Sequence, residues 1–217
     1  MKLLLLLVVA AMLPGCIWKL GAEVVGSGKR VVEARDVGKF SRIDASGATK
    51  VFYKRGEGHE VRFEIDDNLA EFVRLKVKGD TLEISVDRPY SSEEGLIVHL
   101  SAPTLEGIDL SGASTIDLQT IEADRLEVEL SGASEAQASG GKIGTFVADI
   151  SGASHLDFAD VKTTDAEIDA SGASEALVQV SGTLIADASG ASSIRYEGKP
   201  EKIEADSSGA SRIGPGK

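Results

Sequence analysis

Cysteine is nearly absent from this 217-residue chain, which holds one, Cys16. An intramolecular disulfide is therefore excluded, and the fold has to stand on packing and backbone hydrogen bonds. Aromatic residues are scarce at 5%, which argues against a large aromatic-lined pocket. Positive charge is outweighed, with 23 Lys and Arg against 35 Asp and Glu and a formal net charge of −12. A chain this acidic repels phosphate backbones and anionic lipid surfaces, so nucleic acid and a polybasic membrane contact are poor partners for it. Long apolar runs are missing everywhere except at the N-terminus.

There, Lys2 is followed by an unbroken apolar run from Leu3 to Leu13 and then by Pro14, Gly15 and Cys16. About 20 apolar residues are needed to span a bilayer, so this run is too short and reads as a signal peptide over residues 1–15. Its Leu13-Pro14-Gly15-Cys16 end resembles a bacterial lipobox, which implies that Cys16 receives a lipid and becomes the new N-terminus. Cleavage removes Lys2 and no acidic residue, taking the charge from −12 to −13. Residues 16–28, with Gly21, Gly26, Ser27 and Gly28 and no sustained period, suit a flexible tether. Ile17 rather than Asp after the cysteine resembles the outer-membrane sorting signal of enteric bacteria. The expected location is thus the cell envelope, lipid-anchored in the outer membrane, followed by one domain of about 190 residues, enough for a real core.

That domain is dominated by a repeat. Ser-Gly-Ala-Ser begins at Ser111, Ser131, Ser151, Ser171, Ser189 and Ser208, and Ser-Gly-Ala-Thr begins at Ser46. From 111 onward the starts lie 20, 20, 20, 18 and 19 residues apart. This period matches one coil of a small β-solenoid and is too short for helix-pair repeats. Apolar residues alternate with polar ones before each corner, as in Leu126, Val128 and Leu130, and again after it, as in Leu156 and Phe158. Period two means strands with one buried face. A third apolar patch, at Ile121 and Ala123, Ile143, Val161 and Val180, predicts three facets and a triangular cross-section. The fold class expected is all-β, a single-stranded parallel β-helix with about 20 residues per coil.

The corner glycines Gly47, Gly112, Gly132, Gly152, Gly172, Gly190 and Gly209 are expected to supply positive φ where the chain bends. Small Ala and Ser neighbours let corners stack, with hydroxyls satisfying backbone groups or one another. A bolder reading makes the serines a flat ligand-binding ladder, for a glycan or for ice. Alternation does not decide whether the Ala or the second Ser points inward, because the turn resets the parity.

Two residues before each corner stands a carboxylate: Asp44, Asp109, Glu129, Asp149, Asp169, Asp187 and Asp206. Stacked corners would set these in an outward column about 5 Å apart, with repulsion relieved by raised pKa values or by bound cations such as Ca²⁺. The plainer reading is a solvated face that blocks lateral pairing. No other cofactor is implied.

Residues 29–105 are strand-like but less regular and more charged, and are expected to form N-terminal coils that cap the regular ones in 106–213. Within them Lys78-Gly79-Asp80 reads as a tight hairpin, and Asp66 to Arg74 as the only helical turn. At the other end Ile213, Gly214 and Pro215 offer little cover. Either these and nearby charges close it, or a second copy does, so a homo-oligomer is one expectation.

Three further pieces carry a family resemblance: Phe40-Ser41-Arg42-Ile43-Asp44-Ala45-Ser46-Gly47, Gly79-Asp80-Thr81-Leu82-Glu83-Ile84, and Ala102-Pro103-Thr104-Leu105-Glu106-Gly107-Ile108-Asp109-Leu110-Ser111-Gly112. From about Val32 to Ile213 the chain resembles the GIN-domain family of autotransporter-adhesin head domains. The resemblance implies a right-handed β-helix on secreted or lipid-anchored proteins, with adhesion as the role and no catalytic residues to carry over.

Enzymatic β-helices wall their clefts with long loops, and coils of 18 to 20 residues leave none. Arg88 to Gly95 is the one candidate loop. His59, His99 and His155 fall in different strands without ligand spacing, and no Gly-x-Ser-x-Gly elbow, phosphate loop or zincin helix occurs. The sequence therefore reads as a non-catalytic surface protein, an adhesin or envelope-interaction module whose partner is a glycan or envelope protein. The alternative is a polysaccharide-binding or polysaccharide-active β-helix.

Overall fold

The computed structural model describes residues 23–216, so Cys16 and the signal peptide lie outside the described residues. Alternating sequence becomes strand almost throughout, and the corners become the stacking axis. Gly107–Leu110 pairs in parallel with Arg42–Ala45 on one side and with Ile121–Leu130 on the other. The ladder continues through Gly141–Ile150, His155–Ala170, Thr183–Ala188 and Lys202–Ser207, each residue lying over its counterpart one coil back. A second ladder follows the corners: Thr49–Arg55, Thr115–Leu118, Glu135–Ala138, His155–Ala170, Glu175–Val180, Ser193–Gly198 and Arg212–Pro215, again parallel. The β-solenoid with a coil of about twenty residues is thereby found.

The third patch differs in detail from expectation. Its residues share the long strands Ile121–Leu130 and Gly141–Ile150 with the first ladder, the pairing skipping only Asp124 and Gly144 where the two meet. In the third of these coils all three patches merge into the 16-residue strand His155–Ala170. The coil that follows is two residues shorter, and the register slips between Phe158 and Lys162 to absorb the loss.

Interior residues follow the predicted alternation. Ile108, Leu110, Ile116, Leu118, Leu126, Val128 and Leu130 are buried, as are their counterparts in the later coils up to Ile194, many of them alanines. Phe146 and Phe158 stack at 5.1 Å between centroids with planes 22° apart, filling space that Ala136, Ala138 and Ala148 leave.

The N-terminal region is a mixed sheet rather than further coils of the same kind. Thr81–Val86 extends the first ladder in parallel beyond Arg42–Ala45, and Val73–Lys78 folds back on it through the Lys78-Gly79-Asp80 hairpin, with Gly79 at φ 63°. On the second ladder Leu96–Ala102 lies parallel to Thr49–Arg55, then Glu60–Asp66 and Arg30–Arg35 add antiparallel strands. The predicted helical turn is one 3-10 turn, Ala70–Phe72. Larger side chains fill this end: Phe40, Tyr53, Phe63 and Leu69 are buried, and the Tyr53 hydroxyl donates to the Ala102 carbonyl at 3.0 Å. Burial pushes the Tyr53 phenol up to about 12.

At the opposite end Ile203, which stacks over Leu184 of the preceding coil, is 44% exposed, and Ile213 is half-buried. Among the described residues no helix is long and apolar enough to cross a membrane.

Candidate functional site

Each corner glycine sits where its residue type was predicted to matter. Gly47 has φ 86°, and Gly112, Gly132, Gly152, Gly172, Gly190 and Gly209 cluster between 74° and 77°. From Gly112 onward the reason is double. A Cβ at any of these positions would also stand less than 3.0 Å from the carbonyl oxygen of the glycine one coil back. That carbonyl accepts the N–H of the next coil's alanine, as Ala133 to Gly112 at 2.8 Å and Ala153 to Gly132 at 2.7 Å, so the parallel ladder runs unbroken around the bend.

The parity left open by the sequence is now fixed: the alanine faces solvent and the second serine faces the interior. Ser114, Ser134, Ser154, Ser174 and Ser192 are buried, each donating its hydroxyl to the carbonyl of the serine three residues earlier at 2.8 to 3.0 Å. Thr49 does the same toward Ser46 at 2.9 Å. Ser192 and Ser211 also reach carbonyls of the preceding coil, Ala170 and Ala188, each at 2.9 Å. These hydroxyls are committed to the backbone, so the second serines form no exposed ligand ladder. The outer surface of the corner is instead a row of Gly and Ala.

The carboxylates stack as predicted. Asp44 pairs with Asp109, Asp109 with Glu129, and the register continues through Asp149, Asp169 and Asp187 to Asp206. Glu83 heads the column, opposite Asp44, a member that the corner rule does not reach because no corner follows it. Burial first, and then like-charged neighbours, raise Asp109 and Asp169 above the ordinary carboxylate range. The neighbours are Asp44 and Glu129 for the one, Asp149 and Asp187 for the other. Asp44 is raised for the same reasons, with Glu83 as its neighbour. The column is single file, and among the described residues no group of three His, Cys, Asp or Glu is placed to hold a metal ion.

Elsewhere several charges are paired. Glu127 accepts from Arg125 and from Arg42, which hold its carboxyl below the usual range, and the Arg42 guanidinium lies where a side chain on Gly107 would have to be. Arg55 pairs with Glu122 beside them, and Arg195 pairs with Glu175 on the second ladder.

A second feature was not visible in the sequence. On the outer face of the N-terminal sheet, Arg62, His99 and Phe52 lie directly opposite one another on three adjacent strands. The Phe52 and His99 rings stack at 5.2 Å with planes 17° apart, and Phe52 is 41% exposed. They form one wall of a cleft of about 760 Å³, lined also by Arg35, Asp36, Lys54, His59, Glu60, Ser101 and Gln119. His59 accepts the Phe40 N–H at 3.3 Å and packs edge-on against the Phe40 ring at 5.1 Å. Two of the three histidines read as unrelated thus meet in one cleft, whereas His155 lies apart beside Glu175 at 3.6 Å. The Arg88 to Gly95 loop lines a different recess of about 580 Å³ over the first corner, Ser46 to Thr49.

Comparison with known proteins agrees with this architecture. Residues 39–200 match the family described as "Putative auto-transporter adhesin, head GIN domain". A crystal structure of a "putative adhesin" from Bacteroides fragilis superposes with TM-score 0.68 at 20% identity, over 88% of this chain and 99% of the other. A "putative adhesin" from Parabacteroides merdae gives TM-score 0.57 at 16% identity, over 91% and 100%. A "putative lipid binding protein" from Parabacteroides distasonis gives 0.57 at 18%, over 90% and 100%. At these identities the structures speak to fold. No curated protein matches the chain. With the family model covering residues 39–200, most of the chain, the chain belongs to the family described as "Putative auto-transporter adhesin, head GIN domain", a family whose role sets it outside the cytoplasm.

Proposed function

We propose that this protein is a non-catalytic adhesion module of the bacterial envelope, held to the outer membrane by a lipid on Cys16 and meeting a glycan or an envelope protein through its long outer faces. The single observation that carries the reading is the adhesin-family match over a solenoid whose coils are of minimum length. Such coils present flat, rigid, charged faces, with no long loop from which a catalytic wall is built. The acidic column serves that surface as a solvated, self-repelling edge that keeps the sheet from pairing laterally.

A bead-adherence assay tests the role. Beads bearing the full chain are expected to bind a glycan-coated or cell-derived surface above uncoated beads, and equal retention would contradict an adhesive function. Anchoring is separate: Cys16→Ala is expected to move the protein from the membrane to the soluble envelope fraction, and an unchanged fractionation would contradict lipidation. The runner-up, a polysaccharide-active β-helix, rests on the Phe52 and His99 cleft. Reducing-sugar release from anionic polysaccharides would favour it over adhesion.

A further inference from the structure

The cleft on the N-terminal sheet is more evenly charged than the strongly acidic molecule around it. The whole chain carries 23 Lys and Arg against 35 Asp and Glu, yet three cations line the cleft, Arg35, Lys54 and Arg62, against two carboxylates, Asp36 and Glu60. Arg35 is engaged by Glu33 at 2.7 Å. Arg62 and Lys54, like Arg88 and Arg212, make no ion pair among the described residues, and Glu64 stands 3.5 Å from His99 Nε2. Two free cations kept beside an exposed aromatic pair, on a protein with carboxylates to spare, mark a place for an anion that the protein does not itself supply.

The rest of the cleft says what kind of anion. Its volume, about 760 Å³, falls within the range of small-molecule sites, roughly 300–1,000 Å³, and is far larger than a simple ion requires. Phe52 and His99 offer an apolar surface of the kind that packs against the C–H face of a pyranose ring. Ser101 and Gln119 bring groups that hydrogen-bond to hydroxyls, and the Ser101 hydroxyl already donates to the Gly58 carbonyl at 3.1 Å, leaving its oxygen to accept. A carboxylate on the sugar would meet the Arg62 fork, which suits a planar two-oxygen anion.

We infer that the Phe52, His99 and Arg62 cleft is a binding site for a carboxylated sugar, a uronate or sialate unit of an acidic glycan. The inference rests on the adhesive reading and narrows it from a whole surface to one site and one ligand class. It also places recognition on the mixed sheet and leaves the regular coils as the spacer that carries it.

Titration calorimetry of the full chain, in a detergent without a sugar headgroup, tests this with tetragalacturonate, a hyaluronan tetrasaccharide and 3′-sialyllactose, each beside its methyl ester. At least one free acid is expected to bind, with at least tenfold weaker binding of its ester and at least tenfold weaker binding to Arg62→Gln and to Phe52→Ala. Glu167→Gln, on an outward row of the regular coils, is expected to bind as the wild type does. The inference is overturned if no acid binds, if ester and acid bind alike, if inorganic phosphate competes as well as the sugar, or if both cleft variants keep wild-type affinity. Beads carrying Arg62→Gln that adhere like the wild type would also overturn it while leaving the adhesive role intact. Wild-type beads that fail to adhere would instead remove that role.

Discussion

The two halves of the molecule build the same parallel ladders from different materials. In the regular coils the interior is largely Ala, Val, Ile and Leu, with one stacked aromatic pair, Phe146 and Phe158. In the N-terminal region Phe40, Tyr53 and Phe63 join Ile, Val and Leu in the interior, and antiparallel strands run beside parallel ones. A repeated coil is covered above and below by copies of itself, so small residues suffice. The end of a solenoid has no such cover, and there larger side chains and a turned-back hairpin close the core. The same irregularity brings Arg62, His99 and Phe52 into one row, which a strict repeat cannot do without repeating them.

The largest effect that would break this contrast is loss of the coil's aromatic filler. Phe146→Ala is expected to cost about 3–5 kcal/mol, because it removes a fully buried ring that stacks on Phe158 and leaves a cavity in a closely packed interior. Urea unfolding followed by circular dichroism measures it, and a cost below about 1 kcal/mol would mean the interior is loosely packed.

Next comes a matched pair of corners. Gly132→Ala has both a φ of 76° and a Cβ 2.5 Å from the Gly112 carbonyl oxygen, whereas Gly47→Ala has φ 86° and nothing within 4 Å. Gly47→Ala is expected to lose only the left-handed backbone penalty of about 1–2 kcal/mol, and Gly132→Ala clearly more. Equal losses would show that stacking does not constrain the corner. Smaller again, Ser192→Ala should cost about 1–2 kcal/mol, since the Ala170 carbonyl loses a donor in the interior.

The smallest effect is of opposite sign. Asp109 is raised by burial and by Asp44 and Glu129, so the folded state holds its proton where the unfolded chain has released it. Its contribution is favourable below the unfolded value of about 3.9 and is lost as pH rises through the raised folded value. Asp109→Asn is therefore expected to stabilise the protein at pH 7, by about 0.2–1 kcal/mol and toward the lower figure for an exposed side chain. The gain should fade below about pH 4 and shrink in molar salt. A variant less stable than the wild type at pH 7 would mean that the column is held together by a cation rather than tolerated. Thermal melting with and without millimolar Ca²⁺ separates the two, since a cation-bound column would melt higher in Ca²⁺.

Much of the solenoid was legible because its signals are local. The corner tetrapeptide, the alternation around it and the acid two residues before it recur at fixed spacing, so stacking follows from arithmetic. The inward serine was not legible, because a bend with one residue at positive φ resets which side chain faces the core. Glu83 was missed because it joins the column from a hairpin strand, through a parallel pairing with Asp44 that no repeat announces. The cleft was missed for the same reason on a larger scale: Arg62, His99 and Phe52 come from three strands whose order, antiparallel beside parallel, is set by tertiary packing. The third patch was legible as a stacked row, but its sharing of one continuous strand with the first ladder was not.

Superposition of corners can be measured directly. With Cys16 replaced by serine, Ala113→Cys and Ala210→Cys carry nitroxide labels on the outward corner positions, which are linked coil to coil by hydrogen bonds through Ala133, Ala153, Ala173 and Ala191. Dipolar spectroscopy should then give a narrow distribution consistent with a backbone separation of about 24 Å, five strand spacings of about 4.8 Å each. A broad distribution, or one centred more than about 10 Å from that value, the distance between packed sheets, would contradict in-register stacking.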